Sequence, residues 1–194
     1  MPKKVALLCF FFFSFLKNSE AYYLFDKNLE QAYSLIVSFR FQEAEAIFSR
    51  EKIERPGNDL RLLYENYNEF IQAFISEEVL DYKKLKKNSE HRLYELNRIE
   101  SNRESPFHLY AQSEIHIQNA ILSFKYSEYL NAVYEIRKAV KFVNRNEELF
   151  HGFILNRKIT ALLTSLFGTV PDKYQWVMKL SSMEGNIYKG ESLL

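Results

Sequence analysis

The sequence predicts an all-α protein, an irregular α-solenoid of stacked antiparallel helix pairs, and three observations lead there. Chain breakers are scarce, with only 5 glycines and 4 prolines in 194 residues. Apolar residues recur at intervals of three and four almost throughout, the period of a helix that buries one face. One hairpin-like pattern also occurs twice, at residues 39–56 (FRFQEAEAIFSREKIERP) and again, more loosely, at 124–143 (FKYSEYLNAVYEIRKAVKFV).

Residues 1–21 read as an export signal. Lys3 and Lys4 precede an apolar run from Val5 to Leu16, Lys17 closes it, and Ser19 and Ala21 are the small residues that a cut after Ala21 requires. The run is short for a membrane span, and Phe11, Phe12 and Phe13 leave it no polar face. A retained anchor or a buried N-terminal helix is the competing reading. The single cysteine, Cys9, lies within this run, so a processed chain has neither a disulfide nor a thiolate metal site. Leu8 before Cys9, with only a short apolar stretch ahead of it, argues against lipidation. The charge balance of 26 basic and 25 acidic residues changes little when Lys3, Lys4, Lys17 and Glu20 leave together, so no global signal for nucleic acid is present. The expected location is outside the cytoplasm, in the cell envelope or, in a Gram-negative bacterium, the periplasm.

Residues 22–194 are expected to form one helical-repeat domain. Asp26 can cap a helix that runs to about Ser38, and its partner spans Phe41 to Ile53 after a tight turn at Phe39 and Arg40. Pro56, Gly57 and Asn58 break the chain before a long helix with Leu60, Leu63, Tyr64, Tyr67, Ile71 and Phe74 on one stripe. A fourth helix is predicted from about Glu78 to Arg103. Ser105 and Pro106 then restart the chain as cap and first helical residue of a fifth, which carries Leu109, Ile115, Ile117, Ala120, Ile121 and Phe124. After a turn near Lys125, Tyr129, Val133, Ile136, Val140 and Val143 make the buried face of the next helix, with Glu135, Lys138 and Lys141 outside it. Tyr129 is bulky where the first hairpin has Ala44, which predicts a wider crossing. A further helix is predicted from Glu147 to Leu166. Starts near Asp26, Asn58, Ser105 and Glu147 are unequally spaced, hence an irregular array.

The first hairpin resembles the tetratricopeptide repeat (TPR) family. Ala32 stands at the family's small residue in the first helix, Phe41 at the aromatic that opens the second, Ala44 and Phe48 at its small and aromatic places, and Pro56 at the closing proline. Asn28 replaces the family's tryptophan, Phe39 its glycine, and Glu51 a usually small residue. The resemblance implies TPR-like stacked pairs with a concave face that binds a protein or an extended peptide.

Chemistry is sparse. His91, His108, His116 and His151 lack the spacing of metal ligands and read as isolated surface residues; phosphate loops and nucleophile motifs are absent. Neither a catalytic residue, a metal nor a cofactor is predicted, and the expected function is a non-enzymatic scaffold for a protein or peptide partner. Partner contacts are expected from aromatics on first helices, with Tyr64, Tyr67, Tyr110 and Tyr126 as candidates among 17 Phe and 13 Tyr. The alternative is an envelope enzyme, or a polymer- or lipid-surface binder, using the basic cluster Lys83, Lys84, Lys86 and Lys87, which leaves membrane contact open. Salt separates the two, because polyanion binding weakens steeply with ionic strength.

Near the C-terminus, Gly168 and Pro171 read as helix punctuation, with Lys173 and Trp176 as the residues of a competing ligand-loop reading. Tyr174, Val177 and Met178, followed by Ile187, Tyr188, Leu193 and Leu194, read as an apolar edge without a polar cap. A repeat array truncated at its C-terminal edge, or self-association through that edge, is therefore expected.

Overall fold

The computed structural model describes residues 23–98 and 105–168, and its regular elements are seven α-helices. These are α1 (Lys27–Val37), α2 (Phe41–Glu54), α3 (Leu60–Ser76), α4 (Val79–Arg98), α5 (Pro106–Lys125), α6 (Tyr129–Leu149) and α7 (Leu155–Gly168). The export signal, the end of the predicted fourth helix, the segment with Pro171 and Trp176, and the C-terminal apolar edge lie outside the described residues.

Helix starts follow the chemistry of their caps. The Asp26 carboxylate accepts the backbone N–H groups of Asn28 and Leu29, both at 3.0 Å, a cap worth about 1 kcal/mol. Ser105 accepts from the Phe107 N–H, and Pro106 follows at the first turn, where its missing donor costs nothing. Within each of the first three pairs the turn passes through a left-handed residue that is not glycine: Phe39 (φ 60°), Glu77 (φ 58°) and Ser127 (φ 63°). The first and third turns are closed alike. Arg40 N–H donates to Leu35 O at 2.9 Å, and Glu128 N–H to Ser123 O at 2.8 Å.

Those turns set the register and correct one expectation. With Ser127 equivalent to Phe39, Tyr129 matches Phe41 as the first residue of its helix, and Ala120 and Ala132 match Ala32 and Ala44. All four alanines are completely buried, so the third pair crosses over small residues as the first does. The expected wider crossing at Tyr129 is therefore not found, because the left-handed residue, rather than the aromatic-basic-aromatic string, fixes where the helix restarts. In the middle pair the same register places Phe70 and Tyr82 at the crossing, and these rings are buried.

The predicted helix start at Glu147 is also corrected. Helix α6 continues to Leu149, the chain breaks over residues 150–154 with Gly152 at φ 79°, and α7 begins at Leu155. Helix α6 ends where Phe150 leaves helical backbone (φ −130°, ψ 67°), and Gly152, two residues on, takes the left-handed conformation in the turn that leads to α7. Across this break Asn146 donates to Pro106 O at 3.0 Å and to Asn156 Oδ1 at 2.8 Å, tying both helices to the start of α5.

Contacts run from each pair to the next. Helix α1 packs on α2 and α3, α2 on α3, α3 on α4 and α5, α4 on α5, α5 on α6 and α7, and α6 on α7. Helix α5 is consequently surrounded, and Gln112, Ser113, Glu114, His116, Gln118 and Asn119 are buried along with its apolar residues. Before α1, an extended strap ties the connection that precedes α3 to α5: Leu24 exchanges hydrogen bonds with the Asn58 side chain (3.1 and 2.9 Å), and the Tyr23 hydroxyl bonds to His108 Nδ1 at 2.9 Å.

Candidate functional site

The first helices of successive pairs, α1, α3, α5 and α7, together line a groove of about 380 Å³. An i, i+3 pair on α3 places Tyr64 and Tyr67 on the same face, and α1 brings Tyr33 edge-on to Tyr64 and tilted to Tyr67, both at 6.0 Å between centroids. Phe25, from the strap, packs on Tyr64 at 5.4 Å. The opposite wall comes from Phe107 and Tyr110 on α5 and Leu155 on α7.

Two charges enter this aromatic lining. Glu114 lies one turn beyond Tyr110 on α5, only 3% exposed, and its Oε1 accepts the Tyr110 hydroxyl at 2.8 Å and the Lys158 ammonium at 2.5 Å. Lys158 Nζ also donates to the Tyr110 hydroxyl at 3.3 Å. Burial pushes the Tyr64 phenol up to about 12, with the Glu114 carboxylate adding to the rise. Tyr67 is raised for the same first reason, and Tyr110 more strongly by burial and then by Glu114. All three phenols therefore stay neutral near neutral pH.

Of the four tyrosines expected to contact a partner, Tyr64, Tyr67 and Tyr110 meet in this groove. Tyr126 does not: its ring stacks on Tyr82 at 4.5 Å, and its hydroxyl donates to Ala73 O and Glu78 O, which fixes the turn between α3 and α4. Tyr33, Phe25, Glu114 and Lys158 were not singled out from the sequence. Glu114 had a signal, since it interrupts the apolar stripe Tyr110, Ile117 and Ile121 on α5.

The basic cluster is divided by the helix that carries it. Lys84 faces Glu69 on α3 at 4.0 Å, whereas Lys86 pairs with Glu128 at 2.9 Å near the start of α6, so the two point to different neighbours. His91 and His151 are exposed as expected, but His108 and His116 are buried because α5 is surrounded. His116 Nδ1 bonds to Glu135 Oε2 at 2.6 Å and its ring stacks on Phe142 at 5.5 Å. It lines a polar cleft of about 320 Å³ between α4, α5 and α6, with Tyr82, Asn119, Ser123 and Lys138. Among the described residues no group of three or more His, Cys, Asp or Glu could hold a metal ion, and no helix is long and apolar enough to cross a membrane.

The fold and groove define an all-α protein of adjacent helix pairs with an aromatic groove on its first helices. No family model matches the chain, and no curated protein or solved structure matches it.

Proposed function

We propose that this protein is an exported, non-enzymatic scaffold of TPR-like helix pairs that captures an extended segment of a partner protein in the cell envelope. One observation supports the reading above all: tyrosines from three successive pairs, Tyr33, Tyr64, Tyr67 and Tyr110, converge on one groove instead of being dispersed through the core. Large aromatic faces bury much area at little rotamer cost, which is why they dominate peptide-binding surfaces. The solenoid part of the reading is supported by the order of contacts, in which each first helix meets the next first helix and each second helix meets the following first helix. Export is supported by residues 1–21 of the sequence alone.

A photo-crosslinking amino acid placed at Tyr67 in living cells tests capture, with Tyr94, a 64% exposed tyrosine on α4, as the control. A discrete adduct from position 67 and none from position 94 is expected. Equal adducts from both positions, or none from either, would remove the groove as the capture site. Export is read from the same cells, because material outside the cytoplasm should begin at Tyr22.

A further inference from the structure

Glu114 is the group in the groove that the fold itself leaves incomplete. Its Oε1 holds both the Tyr110 hydroxyl and the Lys158 ammonium, while Oε2 has no hydrogen-bond partner among the described residues. An ionised carboxylate has lone pairs on both oxygens, and Oε2 is not among the side-chain atoms sealed from solvent without a partner, so it is open to a donor that enters the groove. The hydroxyls of Tyr33, Tyr64 and Tyr67 likewise lack hydrogen-bond partners among the described residues; their rings pack on one another, and those of Tyr64 and Tyr67 also on the hydrophobic core. The groove thus presents an open acceptor oxygen inside a wall of aromatic faces and free phenols.

We propose that the groove takes an arginine side chain from the partner segment, its guanidinium donating to Glu114 Oε2 and lying against the rings of Tyr64 and Tyr67. This rests on the capture reading above and adds the chemistry of the occupant. A guanidinium is planar and carries five N–H donors, so it can fill a carboxylate oxygen and a phenol oxygen at once while stacking on an aromatic face. Electrostatics points the same way. The Glu114 charge contributes to the raised Tyr64 and Tyr110 phenols, whereas at Tyr67 the Lys158 ammonium opposes it, so the part of the wall that favours a cation is the one formed by Tyr64 and Tyr110. Lys158 is a rival tethered at the rim: it holds Oε1, sits 5.9 Å from the centre of the Tyr110 ring, and its side chain is 43% exposed. An incoming guanidinium can share the carboxylate with it or displace it into solvent.

Selection of a random displayed-peptide library on the full chain, followed by affinity measurements on the enriched peptides, tests this. Enriched peptides should share an arginine, and replacing it with uncharged citrulline should weaken binding by about ten-fold or more, as loss of a charge-assisted hydrogen bond does. On the Glu114→Gln variant the arginine and citrulline peptides should bind alike. Lys158→Met serves as the second variant should Glu114→Gln not fold, and it should tighten the arginine peptide several-fold by removing the rival cation. Enriched peptides that compete for the groove but carry no arginine, or that tolerate citrulline, would overturn the arginine assignment and leave peptide capture standing. Weakening by Lys158→Met would also overturn it. Enrichment of no peptide at all would count against capture itself, and the arginine assignment would fall with it.

Discussion

Helices α3 and α5 are buried on two sides that differ in how polar groups are treated. Toward α1 and α7 they present the tyrosine groove, where three hydroxyls and one carboxylate oxygen find no partner among the described residues. Toward α4 and α6 the polar side chains are linked to one another. Ser89 bonds to Asn66 at 2.7 Å and Asn119 at 2.9 Å, Asn66 bonds to Gln118 at 2.7 Å, and Arg92 reaches Asn66 at 3.1 Å and Glu69 at 2.9 Å. Buried polar groups are tolerated where they bond to one another, and each of these side chains does, although Gln118 Nε2 is buried without a partner of its own. Open hydrogen-bonding capacity on the first side costs little only because solvent or a ligand can reach it. The same two helices therefore carry a hydrogen-bonded seam on one side and an open aromatic groove on the other.

The largest effect expected from breaking this contrast lies in the seam. Arg92→Leu leaves Glu65, Glu69 and Asn66 without their shared cation and should cost about 3–5 kcal/mol, read as a fall in the urea midpoint at constant slope. A loss below about 1 kcal/mol would mean the seam is solvated like the groove. Next comes the crossing between α5 and α6. Ala132→Phe should destabilise by about 1–3 kcal/mol through overpacking, as should Ala44→Phe in the first pair; an effect at Ala44 alone would restore the wider third crossing. The finest distinction compares single hydroxyls. Tyr82 bonds to Ser123 and Glu128, so Tyr82→Phe should cost about 0.5–1.5 kcal/mol, whereas Tyr67→Phe removes a hydroxyl without a partner and should stay within about 0.5 kcal/mol by thermal or chemical unfolding. Equal costs would erase the difference between the two sides.

Much of this organisation was legible in the chain. Asp26, Ser105 and Pro106 announced their helix starts because capping is local chemistry, and local patterns placed both ends of α1 and α2 and the starts of α3, α4 and α5 to within a residue or two. Legibility ended where tertiary surroundings decide. Ser127 reads as an ordinary polar residue, so its left-handed turn and the register it sets were hidden. Gly152 was visible in the sequence, but apolar residues on either side of it, Leu149, Phe150, Phe153 and Ile154, masked the break between α6 and α7. On α5 periodicity fails for a physical reason: a helix packed on every side buries its polar residues too, and His108, His116 and Gln118 then look like surface positions. The candidate groove was half legible. Tyr64 and Tyr67 share a stripe with obvious core residues, whereas Tyr33 and Lys158 join them only once four first helices lie side by side. A lysine cluster spread over little more than one turn looks like one surface in sequence, yet the helical twist sends Lys84 and Lys86 to different neighbours.

The strap formed by Tyr23 and Leu24 bears on how the chain folds. Contacts that pass only between neighbouring pairs would let the first pair melt while the rest stays intact, since each pair would unfold at its own interface. Tyr23 reaches past α3 to His108, a partner 85 residues away in sequence, and Leu24 anchors to Asn58 on the way. That link joins the outermost pair to the most enclosed helix, so loosening α1 must also release a contact on α5. Amide exchange in α1 and α2 should therefore track that of α5 more closely than their position at the edge would suggest, and trimming the chain to begin at Phe25 should let the two rates separate. The loop closed by the Tyr23 contact is long, and its entropy cost makes the strap a late event in folding, after the helix pairs have formed.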